Sequence, residues 1–274
     1  MIKNILVCLN NTTDDTIQAA AKLAVEKNAC LTGLYIMIDS LNRYYAYEGL
    51  SSELMQQILA EENDHAAQAE KQFKQIARKI GCNARWQSIS ENEEPLHALF
   101  YADLIVTHYS NEKKGLRFSD SGFSGSGFIN RLLLETSQPI VIIPDGWSED
   151  SFGQNISLAW NESRESSRAM HAALALMQQA EQVSVVMVNC DKESKGHDVS
   201  TYLASHNINC TLYGEQTDED TPEIGEVILA NADENDSDLI VMGGYGHSHF
   251  REVFLGGVTR YLIHNSNIPL LLVH

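Results

Sequence analysis

Asp238-Leu239-Ile240-Val241-Met242-Gly243-Gly244-Tyr245-Gly246 is followed, after nine further residues, by Gly256-Gly257-Val258-Thr259. The run from Asp238 to Met242 is apolar and of strand length. The glycines after it let the backbone take positive φ and approach a ligand closely, so the strand ends on bare amides. From Val258 to Asn265 the apolar residues Val258, Tyr261 and Leu262 recur at helical spacing. A helix that opens at Gly256-Gly257 turns its free N–H groups toward the same crevice, which suits an anion such as phosphate. The same glycines also suit a plain strand-to-helix turn, and a lone GxxG does not separate the two readings.

Working outward, this strand has a counterpart earlier in the chain. Asp103-Leu104-Ile105-Val106 answers Asp238-Leu239-Ile240-Val241, and Pro139-Ile140-Val141-Ile142-Ile143 answers Pro269-Leu270-Leu271-Leu272-Val273. Ile5-Leu6-Val7-Cys8-Leu9 ends at Asn10-Asn11-Thr12, and 151 residues later Ile156-Ser157-Leu158-Ala159-Trp160 ends at Asn161-Glu162-Ser163. Three matched strands in one order argue for an internal duplication. The polar, turn-rich segment around Pro144 to Gly153 is the expected linker, giving domains at 1–146 and 154–274.

Each half alternates apolar strands with amphipathic helices. In the first, a helix begins after Thr12-Thr13-Asp14-Asp15 with Ile17, Ala20, Ala21 and Ala24 on one face. Leu31 to Ile38 reads as a strand, Ser51 to Ile80 as a long helix stopped by Gly81, and Ala84 to Ile89 as a strand. Leu96 to Tyr101 and Arg131 to Ser137 are the last two helical stretches, giving the order βαβαβαβαβ. The second half repeats the plan with a shorter middle: a helix capped by Ser163, strands at Val183 to Asn189 and Ile208 to Tyr213, and a helix from Thr221-Pro222-Glu223 to about Ala232. This alternation implies α/β domains, each a doubly wound five-stranded parallel sheet covered by helices. Ligands of such sheets bind outside the carboxyl ends of the strands, where strand order reverses.

With 274 residues, 43% apolar and 20% charged, the chain has globular composition for two ordinary domains. Nineteen Lys and Arg against 37 Asp and Glu give a formal charge of −18, which opposes binding to nucleic acid or to an anionic membrane surface. Acidic clusters at Glu91 to Glu94, Glu215 to Asp220 and Asp233 to Asp238 read as solvated loops, and no metal is assigned to them. Five cysteines with no CxxC and no leader-like start point to reduced thiols and a cytoplasmic location.

The glycine spacing, the small-residue pair at a helix start and the closing strand Asn267 to Val273 resemble the C-terminal end of the universal stress protein family. The resemblance extends over almost the whole chain as two tandem domains. Some members of that family bind ATP and others, lacking the motif, bind none. The resemblance implies that ATP or a related adenine nucleotide sits in the second half. Asn161, with Ala159 and Trp160 before it, stands on the adenosine side, and Val188 at the adenine edge. Gly243, Gly246, Gly256 and Gly257, with Val258 and Thr259, stand at the phosphates, and His247 and Ser248 follow as further donors. Two positions depart from the family pattern. Asn161 replaces the usual Asp and loses the charge that would favour Mg²⁺, and Gly257 replaces a hydroxyl residue, with the Thr259 hydroxyl nearby.

The first half departs further. Thr107-His108-Tyr109-Ser110-Asn111 stands where the second half has Met242 to Gly246, so both cradle glycines are gone. Ser119 to Gly127 is glycine- and serine-rich and reads as a flexible loop. The expectation is a first half that pairs with the second as a pseudo-dimer and does not hold ATP. GxSxG and HExxH are absent, so no catalytic residue is assigned, and slow ATP hydrolysis is the most chemistry expected. The competing reading is a nucleotide-free interaction module in which the edges of Pro139 to Ile143 and Pro269 to Val273 pair within a chain or between chains of a homodimer.

Overall fold

The computed structural model describes residues 1–10, 12–37, 52–90, 96–109, 125–148, 152–190, 192–217, 221–244 and 256–274. The first half runs β1 (Asn4–Cys8), α1 (Asp14–Glu26), β2 (Cys30–Met37), α2 (Ser52–Ile80), β3 (Ala84–Ser90), α3 (Leu96–Leu99), β4 (Leu104–Tyr109), α4 (Gly125–Glu135) and β5 (Ile140–Pro144). The second runs β6 (Asn155–Ala159), α5 (Arg164–Met177), β7 (Gln182–Val188), α6 (Lys192–Ser205), β8 (Thr211–Glu215), α7 (Thr221–Glu234), β9 (Leu239–Gly243), α8 (Gly257–Asn265) and β10 (Leu270–Val273).

Local chemistry explains the helix limits. Thr13 caps α1 by accepting from Thr16 N, and Asp14 and Asp15 lie at the positive end of its dipole. Ser163 caps α5 in the same way through Ser166 N. Gly81, with φ of 77°, takes the left-handed conformation that ends α2.

All ten strands form one sheet in the order β3-β2-β1-β4-β5-β10-β9-β6-β7-β8. Each half is parallel within itself, and the halves meet where β5 and β10 pair antiparallel, with Val141 opposite Leu271. The expected pair of five-stranded sheets is thus one continuous sheet with β3 and β8 at its edges. One face is covered by α1, α2, α5 and α6, through residues such as Ile17, Phe73, Ala173 and Leu203. The other is covered by α3, α4, α7 and α8, through Leu99, Leu132, Ile228 and Leu262. Burying both faces is what makes the strands read as continuous apolar runs.

The middle of the second half is shorter, as expected, with a helix of 14 residues against 29, and α6 fills it with Val199 and Leu203 buried. Two expectations need correction. Helix α4 begins at Gly125, ahead of Arg131, so that Phe128 and Ile129 reach the core. Asp238 is no solvated loop acid: its carboxylate accepts from the backbone N–H of Gly153, Gln154 and Asn155 at 2.8, 2.9 and 3.1 Å. Asp103 does the same for Lys3 and Asn4 at 2.7 and 2.8 Å, so each half ties the start of its first strand to the start of its fourth.

Among the described residues no helix is long and apolar enough to cross a membrane. The described residues also hold no group of three or more side chains suited to a metal ion.

Candidate functional site at the carboxyl ends of the strands

In the second half β6 lies between β7 and β9, so strand order reverses there and the crevice lies beyond the ends of β6 and β9. Ala159 ends β6, and Trp160 N donates to Val186 O at 2.9 Å, carrying the ladder one residue further. The indole nitrogen of Trp160 is buried with no hydrogen-bond partner. Asn161 is exposed and turns toward α5, its Oδ1 accepting from Ser163 N at 3.2 Å. Val188 ends β7. Since the Val186 carbonyl faces β6, Val188 two residues on presents its N–H and C=O to the same side, past the end of β6.

Gly243 ends β9 and is crowded. A Cβ placed on it would lie 2.5 Å from the Glu165 carbonyl carbon and 2.6 Å from Ser166 N. The missing side chain is therefore needed by the first turn of α5, which rests directly on the strand end. Gly244 N donates to Val273 O at 2.8 Å. Helix α8 opens at Gly256 with no side-chain cap, Gly257 is exposed, Val258 packs against the core, and Thr259 is buried. Gly246, His247 and Ser248 lie outside the described residues, as do Ser119 to Ser124 in the first half.

One functional candidate was not visible in the sequence. Glu165, in the first turn of α5, is buried beside Gly243, with Arg164 Nε 3.0 Å from its Oε1. Burial works to raise its carboxyl, but its own backbone amide, Arg164 and His274 together hold it below the usual range. The first turn of α5 thus carries a buried carboxylate offset by a guanidinium.

The corresponding place in the first half is filled differently. His108 occupies the position of Gly243, its ring nearly buried, with Nε2 3.0 Å from Asp145 Oδ1 and Nδ1 3.5 Å from Thr16 Oγ1. Tyr109 follows and crosses the seam, its ring centre 5.4 Å from that of His264 on α8. Burial pushes the Tyr109 phenol up, while Arg260 pulls it down and Asp145 adds to the rise. Asn10, the counterpart of Asn161, is bidentate on β2: its Oδ1 accepts from Ile36 N at 2.9 Å and its Nδ2 donates to Ile36 O at 2.8 Å.

Comparison with known proteins agrees with this architecture. Residues 212–274 match the Universal stress protein family. A universal stress protein from Archaeoglobus fulgidus DSM 4304 superposes with a TM-score of 0.72 at 16% identity, covering 98% of this chain and 97% of that one. A putative universal stress protein from Pseudomonas aeruginosa UCBPP-PA14 gives 0.60 at 15% identity, covering 99% and 93%. No curated relative matches the sequence. Residues 212–274 thus match the model of the universal stress protein family, and across its full length the chain has the fold of a universal stress protein.

Proposed function

We propose that the chain is a cytoplasmic stress-response protein that binds ATP or a related adenine nucleotide in its second half and acts through occupancy, not turnover. The start of α8 carries this reading. Thr13 and Ser163 close the N-termini of α1 and α5 with their side chains, whereas α8 begins on Gly256-Gly257, at the carboxyl edge of the sheet, with no side-chain cap among the described residues. Such a helix start attracts phosphate through its N–H groups and its dipole. Val188 adds a backbone donor and acceptor past the end of β6, where a base edge fits. Occupancy changes behaviour only if nucleotide prefers one conformation of the chain, and α8 is placed to read it, because its far end meets Tyr109 of the first half.

The test is to purify the chain without added nucleotide, denature it, identify what is released by mass, and titrate fresh protein with ATP by calorimetry. About one adenine nucleotide per chain is expected. Gly257→Glu places a carboxylate at an exposed helix start, which favours the helix by roughly 0.3–1 kcal/mol while repelling phosphate. Its circular dichroism should match the parent and its ATP affinity should fall about fivefold or more, since two like charges a few ångströms apart cost at least about 1 kcal/mol. No released nucleotide and no heat from the parent would overturn the reading.

The interaction-module alternative has the edges of β5 and β10 pairing within a chain or between chains, and the two pair with each other inside the chain. That pairing leaves these two strand edges unavailable to a second copy and does not bear on whether nucleotide is bound.

A further inference from the structure

We propose that the contact between Tyr109 and His264 couples the two halves, so that nucleotide held at the start of α8 is felt at the end of β4 and the first half sets the affinity of the second. The proposal rests on reading the second-half crevice as a nucleotide site, and it names what regulates that site.

The antiparallel pairing of β5 and β10 puts the carboxyl edge of each half level with the amino edge of the other. A last helix that leaves the carboxyl edge of its own half therefore ends beside the carboxyl edge of its neighbour. Helix α8 does so in nine residues, a rod about 13 Å long. It opens on Gly256-Gly257, and at its far end the His264 ring meets the Tyr109 ring edge-on, with centres 5.4 Å apart. Tyr109 is the last residue of β4 and is buried. Burial does most to raise its phenol, and the Arg260 charge, one turn back on α8, pulls it down. Two residues of the helix thus act on this one side chain.

The same contact recurs across the seam in the other direction. Aligned on Asp103 and Asp238, Tyr109 and Gly244 hold one place in the two halves. Leu133, in the last turn of α4, packs on Gly244: a Cβ built there would lie 3.9 Å from one Leu133 methyl and 4.0 Å from the other. Both residues are buried. The first half therefore supports the strand end from which the glycine run leaves, and it also meets the far end of the helix at whose start phosphate is held.

Close packing lets such contacts transmit, because a buried ring cannot shift without moving its neighbours. A helix is stiff along its axis, so phosphate drawn onto the amides at Gly256-Gly257 moves His264 against Tyr109. Linkage makes the effect mutual: if ATP favours one seating of His264 on Tyr109, removing that seating changes the ATP affinity in turn.

Tyr109→Ala and His264→Ala are made singly and together. His264 is half-exposed, so its variant keeps the fold even where loss of the buried Tyr109 ring does not. The imidazole proton signal of His264, identified by its loss in His264→Ala, reads the contact in the parent by NMR. ATP should move that signal, and each single variant should bind ATP about fivefold or more weakly than the parent by calorimetry, the low end of ordinary coupling. The double variant should be no weaker than the weaker single one, because both changes remove one contact. ATP that binds the parent and leaves the His264 signal in place overturns the proposal. So does a His264→Ala variant that binds ATP as the parent does, or losses that add in the double variant. A parent that gives no heat with ATP overturns the reading of the second half and the coupling with it, so calorimetry on the parent tells the two failures apart.

Discussion

Strands β4 and β9 hold the same place in the two halves, yet β4 ends on His108-Tyr109 and β9 on Gly243-Gly244. At Gly243 the backbone of α5 comes down onto the strand. At His108 an imidazole is wedged between Thr16 of α1 and Asp145 after β5. One architecture therefore tolerates either a bare strand end with a close helix or a filled strand end with the helix standing on a side chain. The glycine of the second half cannot be credited to a ligand alone. Gly243→Val breaks the difference most sharply. Its new side chain meets main-chain atoms that no rotamer change can move, so the loss should reach about 3 kcal/mol or more. Urea unfolding would show a lower midpoint, and a variant as stable as the parent would mean that α5 can lift as α1 does. Because Gly243→Val disturbs the fold, its ATP binding says little about phosphate, and Gly257 is the cleaner probe of that function.

The strand entries repeat more faithfully than the strand exits, and here the difference is one of degree. Asp238 gathers three backbone amides in a partly buried setting, and Asp103 gathers two at the surface. Burial, the larger influence, pushes the Asp238 carboxyl above its usual range, against the downward pull of the Gln154, Gly153 and Asn155 amides. Asp238→Ala should cost about 3 kcal/mol, because hydrogen bonds to a charged acceptor are lost and buried donors are left unmet. Asp103→Ala should cost about 1 kcal/mol, since water replaces the carboxylate. Equal losses by urea unfolding at neutral pH would show that burial does not distinguish the two ties.

These contrasts also mark what the sequence could carry. The duplication was legible because strands buried on both faces must be apolar throughout, and that survives in Ile5 to Leu9 and Ile156 to Trp160 at a constant offset. Helix caps at Thr13 and Ser163 and the stop at Gly81 were legible because their chemistry is local. Helix α6 was not. Its first turns, Lys192 to Asp198, are polar and contain Gly196, and only Val199, Tyr202 and Leu203 mark its inner face. Asp238 was misread because a carboxylate among other acids looks solvated until the Gly153 to Asn155 backbone is brought to it. At the candidate site the glycine spacing was visible, but not what approaches Gly243. Asn10 was visible as a strand end, but its bonds to Ile36 span 26 residues and depend on how β1 and β2 align.

The smallest contrast lies within the first strands. Cys8 in β1 and Ala159 in β6 stand at matching positions, and burial pushes the Cys8 thiol up to about 12. A thiol raised in the fold stabilises it fully below the ordinary thiol value near 9, and the contribution is lost as pH rises toward 12. Above pH 9 the unfolded chain gains a charge that the folded chain refuses. The difference grows by about 1.4 kcal/mol per pH unit in that window. The parent should therefore lose about 1 kcal/mol more than Cys8→Ala between about pH 8 and pH 10. Cys82, Cys210 and Tyr109 are also raised by burial, so the variant keeps an alkaline slope of its own and only the difference reports Cys8. Urea midpoints of both proteins at the two pH values measure it. Parallel slopes would mean that water reaches β1 well before the chain unfolds, and would place the weaker core of the molecule in the first half.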